Sequence, residues 1–209
     1  MPEITLCLML KAPRPGEVKT RLAREVGDAV AAAIYRAMVG HQLREIPDGW
    51  RIEIHFTPQT AGAEMRSWLQ PLCEERIEFF PQVEGDLGNR MQAALTSAFD
   101  RGAERVVFAG GDCPDLDSAI LSESAAQLDA ADLVLVPALD GGYVLIGLKA
   151  RHAGVFDGIS WSTPQVLEQT RERARCLALK TMLLPALEDV DDLPAWQRAR
   201  MRMNDGSAT

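Results

Sequence analysis

The chain predicts an α/β layered fold with a mainly parallel sheet, and three observations carry that prediction. Short apolar runs alternate with helical patterns along nearly the whole length. One run, Arg105–Ala109, is almost wholly apolar, as a strand becomes when helices cover both faces of its sheet. The polar, Gly-rich segments fall immediately after apolar runs, and ligands of such sheets bind outside the carboxyl ends of the strands.

Taken in order, Ile4–Leu10 is the first strand. Leu22, Val26, Val30, Ala33, Ala37 and Val39 recur at roughly helical spacing across Val18–Leu43, with Gly27 and Gly40 as expected interruptions. Arg51–Thr57 alternates Ile52, Ile54 and Phe56, a half-buried strand; Ala63–Leu69 is a short helix and Ile77–Pro81 a short strand. Leu87–Arg101 is a helix that turns Leu87, Met91, Ala94, Leu95 and Ala98 inward. After the 105–109 strand come a helix at Asp117–Ala130 and strands at Asp132–Pro137 and Tyr143–Leu148. Pro164–Arg175 is a helix with proline in its first turn and Ser162 or Thr163 as cap. A last helix starts at Leu193, and the chain beyond Arg198 is ragged. The expected organisation is one domain over 1–198 and a disordered C-terminal tail at 199–209.

Composition narrows the function. A chain of 209 residues, 47% hydrophobic and 25% charged, buries a real core. Its net charge of −8 disfavours nonspecific nucleic-acid binding, which relies on broad basic surfaces. No basic segment followed by a long apolar one opens the chain, and polar residues interrupt every apolar run before membrane-spanning length, so no membrane insertion is expected. Cys7, Cys73, Cys113 and Cys176 form no CxxC pair, which argues against a zinc knuckle and for a reducing, cytoplasmic home. His41, His55 and His152 lie in no nucleophile or metal motif, and neither Gly-x-Ser-x-Gly nor Gly-x-Gly-x-x-Gly is present where a hydrolase or dehydrogenase needs it.

Three loops concentrate the chemistry. Lys11-Ala-Pro-Arg-Pro-Gly-Glu-Val-Lys-Thr-Arg21 places Lys11, Arg14, Lys19 and Arg21 on an acidic protein, after a strand and before a helix starting near Val18. Cations and free helical N–H groups together suit a small polyanion such as a nucleotide diphosphate. The loop lacks the glycines of a Walker A sequence, and a solvated basic loop is the competing interpretation. Gly110-Gly-Asp-Cys-Pro-Asp115 turns sharply after a buried strand and delivers Asp112 to the cleft, where a carboxylate beside a diphosphate needs a bridging hard cation. Asp112 is otherwise a turn residue, Asp115 a cap for the next helix, and Cys113 a packed thiol. Asp140-Gly-Gly-Tyr143 offers a carboxylate, a flexible backbone and an aromatic plane, a combination that grips sugars, and is also a strong hairpin-turn signal. Of the acidic run Glu188-Asp-Val-Asp-Asp192, Asp191 or Asp192 either begins the last helix or completes a metal site with Asp112.

Six segments in order resemble one bacterial family over about residues 4–193. They are Leu10–Leu22, Gly85-Asp-Leu-Gly-Asn-Arg-Met91, Gly111–Leu116, Pro137–Gly147, Ile159-Ser-Trp-Ser-Thr163 and Asp189-Val-Asp-Asp-Leu193. That family has the glycosyltransferase-A (GT-A), nucleotide-diphospho-sugar transferase fold, a three-layer α/β/α Rossmann-like architecture. Its members are mostly uncharacterised, and some are labelled arsenosugar-biosynthesis glycosyltransferases. The first loop is more distantly similar to those of phospholactate guanylyltransferase and the molybdenum-cofactor nucleotidyltransferases. The resemblance implies that Lys11, Lys19 and Arg21 hold nucleotide phosphates, with Pro13, Gly16, Thr20, Arg90 and Gly111 completing the nucleotide site. Asp112 stands at the place of the GT-A metal-binding Asp, and Asp191 matches the late carboxylate of a Mg²⁺ or Mn²⁺ site. Gly141, Gly142, Tyr143, Trp161, Ser162 and Thr163 fall on the substrate side, although Ser162 and Thr163 equally suit a helix cap. Asp86 and Arg90 are equally well accounted for as a cap and a surface arginine. Asp112, Asp140 and Lys19 are the catalytic candidates. Pro114 stands where a full Asp-x-Asp motif has its second acid, which leans toward the two separated carboxylates of nucleotidyltransferases.

The expected activity is metal-dependent transfer of a glycosyl group from a nucleotide sugar to a small-molecule acceptor, with Asp140 the weakest-supported base. The alternatives are nucleotidyl transfer from a nucleoside triphosphate to a phosphorylated small molecule, with loss of pyrophosphate, and a nucleotide-binding domain without turnover.

Overall fold

The computed structural model describes residues 3–73 and 77–205, the last two by backbone alone. Strand β1 (Ile4–Lys11) leads to helices α1 (Thr20–Val26) and α2 (Asp28–Arg44), then β2 (Arg51–Thr57), α3 (Gly62–Cys73) and β3 (Ile77–Pro81). Helix α4 (Leu87–Asp100) precedes β4 (Arg105–Ala109), α5 (Ser118–Gln127), β5 (Leu133–Pro137) and β6 (Tyr143–Leu148). Helix α6 (Val166–Cys176), β7 (Thr181–Leu183) and α7 (Leu193–Asp205) complete the order.

The seven strands form one sheet in the order β3-β2-β1-β4-β6-β5-β7. Every pairing is parallel except those of β6, which runs antiparallel to both β4 and β5. The Asp140-Gly-Gly turn is therefore a hairpin connection between sheet neighbours. Alternation along β1 shows the layering: Leu6, Leu8 and Leu10 face α2, α3 and α5, whereas Cys7 and Met9 face α4. Strand order reverses direction beside β1, between β2 and β4. The loops after β1 and β4 consequently open into one crevice at the carboxyl edge.

Several boundaries depart from expectation for local reasons. Gly27, at φ +86°, separates α1 from α2, but Gly40 sits inside α2 with Leu72 and Arg44 against it and interrupts nothing. The first helix begins at Thr20 rather than Val18, because Lys19 adopts a left-handed conformation at φ 47°. Asp117, whose carboxylate accepts from the Ile120 N–H at 2.8 Å, caps α5. Asp115 does not; it is forked by Arg202 at 2.6 and 2.7 Å. Neither Ser162 nor Thr163 caps α6, which starts at Val166 without a side-chain cap; the Thr163 hydroxyl donates to Ser160 O instead. Strand β7, Thr181–Leu183, is not expected from the sequence, because Met182-Leu183-Leu184 is too short a run before Pro185 to stand out as a strand. Helix α7 continues through 199–205, where the sequence suggests a ragged end, with Ala195 and Ala199 buried; 206–209 lie outside the described residues.

Candidate active site

The β1 loop is fixed from below. The Lys11 N–H donates to the Tyr35 hydroxyl at 3.2 Å, and that hydroxyl donates back to Lys11 O at 3.3 Å, so α2 clamps the end of the strand. Burial pushes the Tyr35 phenol up, which keeps it protonated. The left-handed turn at Lys19 swings its side chain under the loop, where only 7% of it is exposed. Lys19 Nζ lies 3.3 Å from both Asp112 Oδ2 and Asp191 Oδ1, and Arg21 Nη1 is 2.9 Å from Asp191 Oδ2.

Two glycines make the β4 loop possible. A Cβ at Gly110 would lie 2.7 Å from Asp112 Oδ1, and one at Gly111 would strike Val39, Leu10 and Tyr35 at 2.7–3.1 Å. The loop is also held by backbone: Val190 N–H donates to Asp112 O at 2.8 Å, and Gln42 Nε2 donates to Cys113 O at 3.0 Å. That bond brings the 189–191 segment across the crevice. Val190 is buried between Asp189 and Asp191, and both acids line the cleft. Burial, reinforced by Asp140, Asp112 and Asp191, pushes the Asp189 carboxyl up to about 6. Burial takes the Cys113 thiol up to about 12, so it is a packed side chain and no nucleophile.

The cleft has two lobes that meet at Gly110, Asp112, Arg21 and Asp191. The smaller, about 330 Å³, is lined by Lys11, Lys19, Thr20, Arg21, Tyr35 and Gly111, among others. The larger, about 560 Å³, has an apolar floor of Met9, Met91, Phe108 and Ile146, with Tyr143, Trp161, Ser162 and Thr163 on its walls and Asp140 and Gly142 at its rim. The walls are tightly built. A Cβ on Gly141 would lie 2.3 Å from Pro164 O, and one on Gly88 would lie 2.9 Å from Trp161 Nε1. Asp140 Oδ1 accepts from the Gly142 N–H at 2.9 Å, so the same aspartate shapes the hairpin and faces the lobe.

Not every expected site residue reaches the cleft. Pro13, Gly16, Arg90 and Gly141 are not among the lining residues. Arg90 donates to Gly85 O and Gln82 Oε1, and Arg14 is paired with Glu64 at 2.9 Å. Asp86 and Asn89 form a reciprocal capping box at the start of α4. Conversely, Tyr35, Asp189 and the apolar floor line the cleft although the sequence did not single them out. Tyr35 carries no local signal because its role depends on contact with Lys11. Asp189 had one: in extended chain, residues two apart share a face, so Asp-Val-Asp presents two carboxylates together.

The carboxylates fit a divalent ion at one place. Asp112 and Asp191 already share a cation, the Lys19 ammonium, and offer the hard oxygen donors that Mg²⁺ and Mn²⁺ prefer. Among the described residues, the one group of three possible ligand side chains within ligating distance is Cys7, Glu53 and His55, buried on β1 and β2. Arg101 there holds both Glu53 oxygens, at 3.0 and 2.6 Å, and His55 Nε2 lies 3.0 Å away. That carboxylate is already neutralised, and the set does not suit a further cation.

A sheet of this order, with a cationic loop after its first strand and a cleft across β1, β4 and β6, is the nucleotide-diphospho-sugar transferase fold, shared with cytidylyltransferases. The chain belongs to the bacterial family described as "uncharacterized protein conserved in bacteria (DUF2064)", whose model matches residues 43–163. It is similar to a Desulfovibrio desulfuricans G20 protein provisionally named a nucleotide-diphospho-sugar transferase: TM-score 0.87, 33% identity, covering 100% of this chain and 90% of that one. The fold is shared with 4-diphosphocytidyl-2C-methyl-D-erythritol synthase of Anaerococcus prevotii DSM 20548, at TM-score 0.64 and 9% identity over 97% of this chain and 96% of that one. It is shared also with Mycobacterium tuberculosis H37Rv Rv0371c in complex with manganese, at TM-score 0.54 and 15% identity over 94% and 97%. Among the described residues, no helix is long and apolar enough to cross a membrane.

Proposed function

We propose that this protein is a cytoplasmic, divalent-metal-dependent glycosyltransferase that takes a nucleotide sugar and moves its glycosyl group to a small-molecule hydroxyl. The observation that carries this reading is the two-lobed cleft: a lobe that gathers Lys11, Lys19 and Arg21 and an apolar, acidic lobe, joined at Asp112, Arg21 and Asp191. Asp112 and Asp191 would hold Mg²⁺ or Mn²⁺, which would supply Lewis-acid neutralisation of the diphosphate. The manganese complex of the mycobacterial fold neighbour supports that choice of ion. Lys11, Lys19 and Arg21 bind the phosphate oxygens, and Thr20 and Gly111 complete the lobe wall.

In the reaction the bond between the anomeric carbon and the diphosphate oxygen breaks, and its electron pair leaves on the diphosphate. The acceptor oxygen forms the new bond to that carbon, and its proton passes to Asp140, whose Oδ2 makes no hydrogen bond among the described residues. Trp161 and Tyr143 present ring surface to the sugar and acceptor. Tyr143 serves as surface and not as base, because burial pushes its phenol up. A second reading, nucleotidyl transfer with loss of pyrophosphate, has one observation in its favour: the candidate metal pair is Asp112 with a distant Asp191, and Cys113-Pro114 replaces an Asp-x-Asp.

Thermal-shift measurements with nucleoside diphosphates, triphosphates and nucleotide sugars, each with and without Mn²⁺, separate the two. Metal-dependent stabilisation by one nucleotide sugar above its bare diphosphate supports glycosyl transfer and names the donor. Stabilisation by a triphosphate alone supports nucleotidyl transfer. No shift with any of them removes both, and a nucleotide-independent protein must then be sought.

A further inference from the structure

The two lobes differ in charge as well as in size. The smaller sets Lys11, Lys19 and Arg21 against Glu17, Asp112 and Asp191. The larger sets one guanidinium, that of Arg21, against Asp112, Asp140, Asp189 and Asp191, and this guanidinium is already paired with Asp191. If Asp112 and Asp191 are committed to the metal, Asp140 and Asp189 still face the larger lobe, and Arg21, assigned above to the diphosphate, is the one cation among the described residues that lines it. Below them lies an apolar surface in which Met9, Leu87 and Trp161 are accessible and Met91, Phe108 and Ile146 are buried beneath, with the Trp161 ring fixed against Gly88 at the side. A phosphate ester placed there would bring about two negative charges toward two carboxylates, and among the described lining residues it would meet only the Arg21 guanidinium, which is paired with Asp191 and faces the phosphate lobe as well, an arrangement that interfaces use to reject partners. A hydroxyl compound with an apolar ring face meets that surface with its body and the two aspartates with its O–H groups.

We propose that the larger lobe takes a non-phosphorylated hydroxyl compound with an apolar or aromatic face, neutral or positively charged, and that Asp140 and Asp189 exclude phosphate esters. This rests on the transferase reading and sharpens it, because an unphosphorylated acceptor leaves no place for nucleotidyl transfer onto a phosphate.

The test is ligand-observed NMR on the full chain with a panel of small hydroxyl compounds in three groups: neutral, cationic and phosphate esters. Each is recorded alone and with Mg²⁺ and a saturating nucleoside diphosphate. Neutral and cationic members should bind in both conditions. Phosphate esters should bind only without nucleotide, because the diphosphate displaces them from the cationic lobe. Affinity in the larger lobe should favour the neutral parent over its phosphate ester by about tenfold or more, and the D140N/D189N double variant should remove that preference. Phosphate-ester binding that persists under saturating nucleotide overturns the proposal, as does a preference that survives in the double variant, or a panel in which neither neutral nor cationic compounds bind. Failure of the transferase reading looks different: no diphosphate binds, and phosphate esters are never displaced.

Discussion

Two groups of carboxylates are built into this sheet, and the fold treats them in opposite ways. On β2, Glu53 is 1% exposed; Arg101 forks both its oxygens, His55 lies against one of them, and the Arg101 guanidinium stacks 4.0 Å over the Phe80 ring. Burial alone pushes Glu53 up, but hydrogen bonds from His55 and Arg101 and the charge of Arg101 outweigh it, and the carboxyl ends below its usual range. At the carboxyl edge, Asp112, Asp140, Asp189 and Asp191 have, among the described residues, Lys19 and Arg21 as their paired cations, and Asp189 is pushed up. The same residue chemistry is satisfied internally in one place and left short of positive charge in the other. A cluster completed by the chain contributes to the fold, whereas a cluster that lacks a cation awaits a ligand that brings one.

Breaking the closed cluster should have the largest effect, and it should fall on stability. Arg101→Met leaves the Glu53 carboxylate buried without its partner, which costs about 3–5 kcal/mol. Urea unfolding should show that loss, while nucleotide binding by the folded fraction stays at the wild-type level. A loss below 1 kcal/mol would mean that His55 alone satisfies Glu53. The matching change in the open cluster, Asp112→Asn, should do the reverse. Metal-dependent turnover should fall about 100-fold or more, the scale on which loss of one preorganised electrostatic contact acts. The melting temperature should hold or rise, because Asp112 shares its Lys19 partner with Asp191 and one of two acids competing for that ammonium has gone.

Lys19 permits a finer comparison, since its ammonium stands between the two carboxylates assigned to the metal. In Lys19→Met that resident cation is removed. Mn²⁺ alone, followed by its electron paramagnetic resonance signal, should bind about tenfold more tightly, the weight of one competing charge pair near a protein surface. Nucleotide binding should weaken at the same time, because Lys19 also faces the phosphate lobe. Weaker Mn²⁺ binding in this variant would sink the idea that metal and lysine exchange places.

The layered fold and the open cluster's main members were legible in the sequence because their signals are local. Strands such as Arg51–Thr57 and Arg105–Ala109 carry period-2 or continuous apolarity, and the loops after β1, β4 and β5 hold Lys19, Asp112 and Asp140, with Arg21 in the first turn of α1. The closed cluster was not legible, because Glu53 and Arg101 meet only through the packing of α4 on β2. The same holds for Tyr35 under Lys11, and for Arg202, whose grip on Asp115 lies in the part of the last helix beyond Arg198 that reads as ragged in the sequence. Arg90 shows the converse limit. A cation near a Gly-rich turn looks like a phosphate ligand until its partners, Gly85 and Gln82, are seen.

The smallest predicted effect concerns the sign of a pH dependence. The folded Asp189 carboxyl titrates at about 6, above the roughly 3.9 of an unfolded aspartate. Between those values the folded chain holds a proton that the unfolded chain has released, so this group's contribution to stability falls as pH rises through the window and levels off above it. Glu53 acts with the opposite sign: its folded pKa is lowered, so its contribution is present above the unfolded pKa and is lost as pH falls through the folded value. Asp189→Asn removes only the first dependence. In metal-free buffer of low ionic strength, the melting temperature of the variant minus that of the wild type should therefore grow between pH 4 and pH 6.5 and then stay constant. Adding Mn²⁺ at pH 7 should shrink the difference, because a cation at Asp112 and Asp191 relieves the repulsion that helps raise Asp189. A difference that stays flat from pH 4 to pH 8 would mean that Asp189 is already neutralised within the fold, and the contrast between the two clusters would then rest on Asp112 and Asp191 alone.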